Sequence, residues 1–266
     1  MIKRLVPITL LAGATLALAA LPAEAISFGT VDTTDTYAGV GIIRNPGFTG
    51  FTGGNGYVWC SGSLVSARVF LFAGHCVSIL DQYGETPSTV WVSLQTNVFS
   101  QPYPASWLKV QSWQIDPQFQ AVSGNYPDKN DLGVLVLQDP VKGVPFANLP
   151  PIGFLNGYDS DLQMVGYGVD QNDNLSGNRL EGTALVSEIQ NTYIKLKPNP
   201  STFCMFDSGG PSRVIGGSTG YVTSVHASTI TFSKTGTAFC DSNVYDTRLD
   251  TASAQAFIQS EIAANP

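Results

Sequence analysis

The chain of 266 residues is 43% hydrophobic and only 12% charged, with 27 Gly and 16 Pro, a composition that excludes a disordered or coiled-coil chain. Acidic residues outnumber basic ones 20 to 13, for a formal net charge of −7, so there is no basic footprint to neutralise phosphates; neither nucleic acid nor an anionic membrane surface is expected as a partner. The length suits one large domain or two small ones, each able to bury a core.

Residues 1–25 read as an export signal: Lys3 and Arg4 precede an apolar run from Leu5 to Leu21, and Ala23-Glu24-Ala25 forms a small-x-small cleavage site. No later segment approaches a membrane span, so the mature chain is expected to be secreted, extracellular or periplasmic, with no membrane partner after cleavage. In such a compartment the four cysteines form disulfides, with three possible pairings that spacing does not choose among. Two histidines and no finger-like cysteine spacing predict neither a metal nor another cofactor.

Short apolar or alternating runs then follow at about 39–44, 58–66, 69–73, 89–94, 107–115, 132–137, 162–167, 182–189, 193–197, 221–227 and 243–248, the pattern of a barrel or sandwich. Gly-rich 45–57 and polar 170–178 are loops. A division is expected near 138–152, whose prolines break periodicity, giving units 26–140 and 141–266. The single convincing helix is terminal, capped by Asp250 or Thr251, with Ala254, Phe257, Ile258 and Ile262 on one face.

Three segments carry candidate chemistry: LFAGHC at 71–76, NDLGVLVL at 130–137 and CMFDSGGP at 204–211. Alone, each is ordinary: a core histidine, a strand-capping Asp131, a turn-forming Ser208. Together they supply a hydroxyl (Ser208), an imidazole to take its proton (His75) and a carboxylate to fix the imidazole tautomer (Asp131), the set that attack on an acyl carbon needs. Their order and the CSGSLVS (60–66), MVGYG (164–168), DSGGP (207–211) and NVYDTRLD (243–250) segments resemble trypsin-like, chymotrypsin-fold serine proteases over nearly all of 26–264.

That resemblance implies an all-β chain of two six-stranded antiparallel β-barrels with a C-terminal α-helix, the N-terminal barrel in 26–140 and the C-terminal barrel with the helix in 141–266. It implies disulfides Cys60–Cys76, sixteen positions apart, and Cys204–Cys240. The oxyanion donors would be the amides of Phe206 and Ser208; the family almost always has Gly where Phe206 stands, and a Cβ there disfavours the backbone conformation that aims the N–H. The substrate pocket would have Thr202 at its base and Ser224, Val225 and His226 as its wall, with Asn243 nearby. Without an Asp at the base, cleavage after Lys or Arg is not expected, and His226 either narrows the pocket or meets an acidic group. Ile26, exposed by cleavage after Ala25, would insert its ammonium beside Asp207.

The expectation is therefore a monomeric secreted serine endopeptidase acting on proteins or peptides. Phe206 motivates an alternative, a protease-fold binding protein with weakened catalysis. A carbohydrate-binding sandwich explains the aromatics but leaves the ordered motifs to coincidence. Asp170, Asn172, Asn174, Ser176, Asn178 and Glu181 have calcium-loop offsets, but Leu175 replaces the required Gly, and a polar surface loop is the reading adopted.

Overall fold

A computed structural model describes residues 26–45, 57–100, 107–122, 127–172, 174–216, 220–229 and 243–266. The expected export signal, the tip of the Gly-rich loop and Cys240 lie outside these. A two-residue strand β1 (Thr30–Val31) leads into β2 (Val40–Asn45), β3 (Tyr57–Leu64) and β4 (Val69–Phe72), then helix α1 (Gly74–Gln82), β5 (Trp91–Ser93), β6 (Leu108–Ile115) and β7 (Gly133–Leu137). Strands β2 to β7 close as an antiparallel barrel in the order β2-β3-β4-β7-β6-β5. Strands β4 and β7, VFLF and GVLVL, are buried at every residue, which suits their unbroken apolar runs.

The second half supplies β8 (Asp161–Gly166), β9 (Leu180–Ile189), β10 (Tyr193–Pro198), β11 (Pro211–Val214), β12 (Val222–Thr229) and β13 (Val244–Arg248), followed by helix α2 (Ala252–Ala264). Their order is β9-β10-β13-β12-β11-β8, and β8 also pairs with β9, closing a second six-stranded antiparallel barrel. The all-β, two-barrel architecture with a terminal helix is thus as the sequence leads one to expect.

Strand β1 and helix α2 each lie on the barrel they do not belong to by sequence. Strand β1 pairs with β9, Thr30 opposite Glu181, so residues expected in the N-terminal barrel extend the second sheet. Helix α2 sends Ala254, Phe257 and Ile258 into the apolar cluster containing Phe70, Leu80 and Leu135 of the first barrel. Thr251 caps this helix, its hydroxyl accepting from Ala254 N at 3.2 Å, while Asp250 instead holds Arg248 and Leu155 N. Tyr37, Val40, Ile42, Val165 and Tyr167 pack together between the barrels. Such crossed ends fix the two barrels against each other, and the seam between them is where the candidate chemistry meets.

Candidate active site

Helix α1 is absent from the sequence reading because it has no local start signal: its N-cap is Ala73, with no side-chain cap. The cap arrives from another strand. Asp131 Oδ1 accepts from the main-chain N of His75 at 2.6 Å, and Asp131 Oδ2 lies 2.7 Å from His75 Nδ1. The pairing of β4 with β7, Phe72 opposite Gly133, brings Asp131 beside the first turn of α1. One buried carboxylate thereby occupies an orphan helix donor and orients the ring. Burial opposes charge on His75, but the charge and hydrogen bond of Asp131, with Asp128 beyond, outweigh it and raise the imidazole pKa above its ordinary value. The His75 side chain is 24% exposed and that of Asp131 1%, so the ring faces the seam and its partner does not.

Ser208 stands in a loop clamped from both barrels. Ser61 of β3 donates its main-chain N–H to Ser208 O at 2.9 Å, and its hydroxyl donates to Phe206 O at 2.9 Å while accepting from Tyr167 N at 3.0 Å. Gly209, at φ +85°, passes so close to the first barrel that a Cβ would collide with Ser61 O and stand 2.9 Å from Ala73 N. Cys76 Sγ is 4.0 Å from Ser208 O and 3.6 Å from His75 Nε2, so one sulfur touches both segments. The Ser208 hydroxyl makes no hydrogen bond to the ring, and its amide N–H has no partner among the described residues. Catalytic hydrogen bonds of this kind commonly tighten only with substrate bound.

Phe206 adopts φ +72°, the left-handed conformation natural to glycine. Its half-buried ring is held against Val169, Leu175 and Cys204, which supplies packing to offset the backbone strain. Asp207 beside it is fully buried, and its carboxylate accepts from Gly168 N at 2.8 Å, Cys204 N at 2.9 Å and the main-chain N of Ile26. A Cβ at Gly168 would overlap that carboxylate. Burial raises the Asp207 pKa to about 6 against these donors and the charge of His226. Ile26 itself is fully buried, and Ser27 bridges Thr202.

The three residues expected to wall the pocket lie on two faces of β12. Val225 is turned into the cluster shared with the first barrel, whereas Ser224 and His226 face the second barrel's interior, because successive strand residues alternate. Both converge on buried Asp246: Ser224 Oγ donates to Oδ2 at 2.8 Å and His226 Nδ1 lies 3.1 Å from Oδ1. The His226 ring stacks on Phe203 at 4.4 Å, and its Nε2 is buried without a partner among the described residues. Gly209 N donates to His226 O and His226 N to Gly210 O, at 2.7 and 2.8 Å. His226 is therefore level with the glycines after Ser208, and the antiparallel course brings Ala227 and Ser228, not Ser224 and Val225, alongside the nucleophile loop. Thr202 is fully buried and engaged by its amide with Ser27 O at 3.2 Å; Asn243 is half-buried before β13. Sequence reasoning missed Ser61, Asp246, Phe203 and Ser228. Ser61 follows Cys60 directly and was legible as part of its motif, whereas the other three depend on strand register.

Cys60 and Cys76 form a disulfide, and Cys204 is also disulfide-bonded, its expected partner Cys240 being outside the described residues. Cys60, His75 and Cys76 bring ligand-type atoms together, but the two sulfurs are bonded to each other. The 170–181 residues do not converge on a cation: Asp170 accepts from Asn172 and Asn174, Asn178 pairs with Asn97, and Glu181 receives Gln163 Nε2.

Two closed barrels meeting at a histidine, a buried aspartate and a serine loop define the chymotrypsin-like class of double-barrel proteins. The trypsin family model matches residues 40–241, and the chain belongs to that family. It is a serine endopeptidase, a hydrolase whose substrates are proteins or peptides. No curated protein matches the sequence.

Proposed function

We propose that this endopeptidase cleaves peptide bonds through an acyl-enzyme on Ser208. In the proposed cycle His75 Nε2 takes the Ser208 Oγ proton as the oxygen attacks the substrate carbonyl, then returns it to the leaving amine, and water repeats the sequence to free the acyl group. Asp131 keeps the Nδ1–H tautomer and favours the imidazolium that forms. The amides of Phe206 and Ser208 are assigned as donors to the tetrahedral oxyanion, each such donor being worth about 100- to 1,000-fold in rate. The carrying observation is the double attachment of His75 to Asp131 at 2.6 and 2.7 Å.

The glycine-like φ of Phe206 supports an active site rather than a protease-fold binding protein. Export, with cleavage after Ala25, a monomeric state and no nucleic-acid or membrane partner belong to the same reading; the seating of Ile26 against Asp207 supports it. Substrates with Lys or Arg before the cut are not favoured. Thr202 carries no charge, and both oxygens of Asp246 are engaged by Ser224 and His226, so neither offers a free carboxylate to a buried cation.

A fluorophosphonate probe with mass-spectrometric localisation tests the assignment. Labelling at Ser208 that disappears in Ser208→Ala and His75→Ala is expected. Labelling that survives Ser208→Ala rejects the nucleophile, and an unreactive folded protein favours the binding reading.

A further inference from the structure

Arg213 on β11 is a buried cation without a counter-ion among the described residues. Its side chain belongs to a residue only 4% exposed, and no carboxylate among the described residues pairs with it. Of the five guanidinium N–H donors, one on Nη2 reaches Gly220 O at 3.1 Å, and Nε–H is enclosed without a partner among the described residues. The planar group lies 5.1 Å over the Tyr37 ring, which engages its face but not its in-plane donors. Tyr37 brings no negative charge, because burial, with a hydrogen bond to Glu181, pushes its phenol far above the ordinary range. Glu181 is spent on that hydroxyl and on Gln163 Nε2. Buried charges are ordinarily paired, and burial here pushes the guanidinium pKa down, opposed by Tyr37 alone.

The guanidinium lines a cavity of about 20 Å³ with Thr36, Tyr37, Ser63, Pro145 and Phe146. That volume accommodates a body the size of a water or a halide. Ser63 is buried, and its hydroxyl has no partner among the described residues. Phe146, at the rim, is 39% exposed and marks the entry side.

We propose that this cavity is a binding site for a monovalent anion of halide size, held by the Arg213 guanidinium and the Ser63 hydroxyl. The site joins four separate pieces: the N-terminal segment through Thr36 and Tyr37, the first barrel through Ser63, the inter-barrel connection through Pro145 and Phe146, and the second barrel through Arg213. Occupancy therefore stabilises the two-barrel assembly by mass action.

Thermal unfolding of the full chain is followed at constant ionic strength while gluconate is replaced by chloride or bromide, and a bromide-soaked crystal is examined for anomalous scattering. A saturable rise in Tm with halide, lost in Arg213→Met, and bromide density beside the Arg213 guanidinium are expected. Ser63→Ala, a small change that preserves the fold, weakens halide binding about tenfold, the scale of one hydrogen bond to a charged group. A Tm indifferent to halide, or a cavity holding water alone in the bromide crystal, overturns the proposal. Should Arg213→Met fail to fold, Ser63→Ala and the anomalous map decide it.

Discussion

A single carboxylate, that of Asp131, holds His75 at two points, the ring through Nδ1 at 2.7 Å and the main chain at 2.6 Å. The ring's orientation and the start of helix α1 consequently share one support. A substitution at Asp131 therefore changes two separable quantities.

Asp131→Asn keeps an oxygen for the helix donor but removes the charge that raises the His75 pKa. Activity is expected to fall by about 10⁴, because the tautomer and its stabilisation are lost. The acid limb of kcat/KM, which reports His75 losing its proton, moves to lower pH. Asp131→Ala additionally loses the cap, at a further cost of about 1 kcal/mol. The raised His75 pKa also adds stability that is fully present below the unfolded value and is lost as pH rises through the folded one. Urea unfolding of Asp131→Asn across that window should lack this pH dependence; an unchanged profile would contradict the coupling.

Phe206→Gly tests whether the side chain handicaps the proposed oxyanion site. The backbone already has φ +72°, so Gly relieves strain of about 1 kcal/mol without re-aiming the amide. Turnover at least equal to that of the parent is expected in a peptide-hydrolysis assay. A collapse in kcat would mean that the ring itself, packed on Val169 and Leu175, shapes the site.

A peptide library is expected to show little preference for Lys or Arg before the cut, with small, apolar or acidic residues accepted instead. His226 is the residue to vary, since its Nε2 has no partner among the described residues and its ring stacks on Phe203. His226→Gly should broaden acceptance; an identical cleavage profile would place the imidazole outside the pocket.

The strand pattern of both barrels was legible because buried and half-buried runs announce themselves by composition and alternation. Strand β11, short and following the glycines of the serine loop, did not: its sequence PSRV has no apolar period. Helix α1 was hidden for a different reason, its cap being Asp131, 56 residues from His75. The three candidate catalytic residues were visible from residue type and order, but the register of β12 was not, and a displacement of three positions along it sets Ala227 and Ser228, rather than Ser224 and Val225, beside the serine loop. Register is a property of pairing, and here it is fixed by the bonds between His226 and the two glycines after Ser208.

Activation supplies a last test, resting on Asp207. While the Ala25–Ile26 peptide bond is intact, Ile26 offers Asp207 only a main-chain N–H, and burial holds the carboxyl pKa at about 6. A raised carboxyl pKa contributes stability that is fully present below the unfolded value, about 4, and is lost as pH rises through about 6. Cleavage after Ala25 replaces that N–H with an ammonium. The new charge favours ionised Asp207 and lowers its pKa, and Asp207 in turn raises the α-amino pKa above its ordinary value of about 8. The amino group's contribution is complete below that unfolded value and disappears as pH climbs through the raised folded one. A chain beginning at Ile26 should accordingly hold its activity through neutral pH and lose it on the alkaline side. A chain carrying an extra Met before Ile26 should decline already above about pH 6, where Asp207 ionises with no ammonium beside it. Intact-mass analysis of both forms, with kcat/KM measured from pH 5 to 10, separates them; equal activity at every pH would sink the insertion of Ile26 as the ordering step.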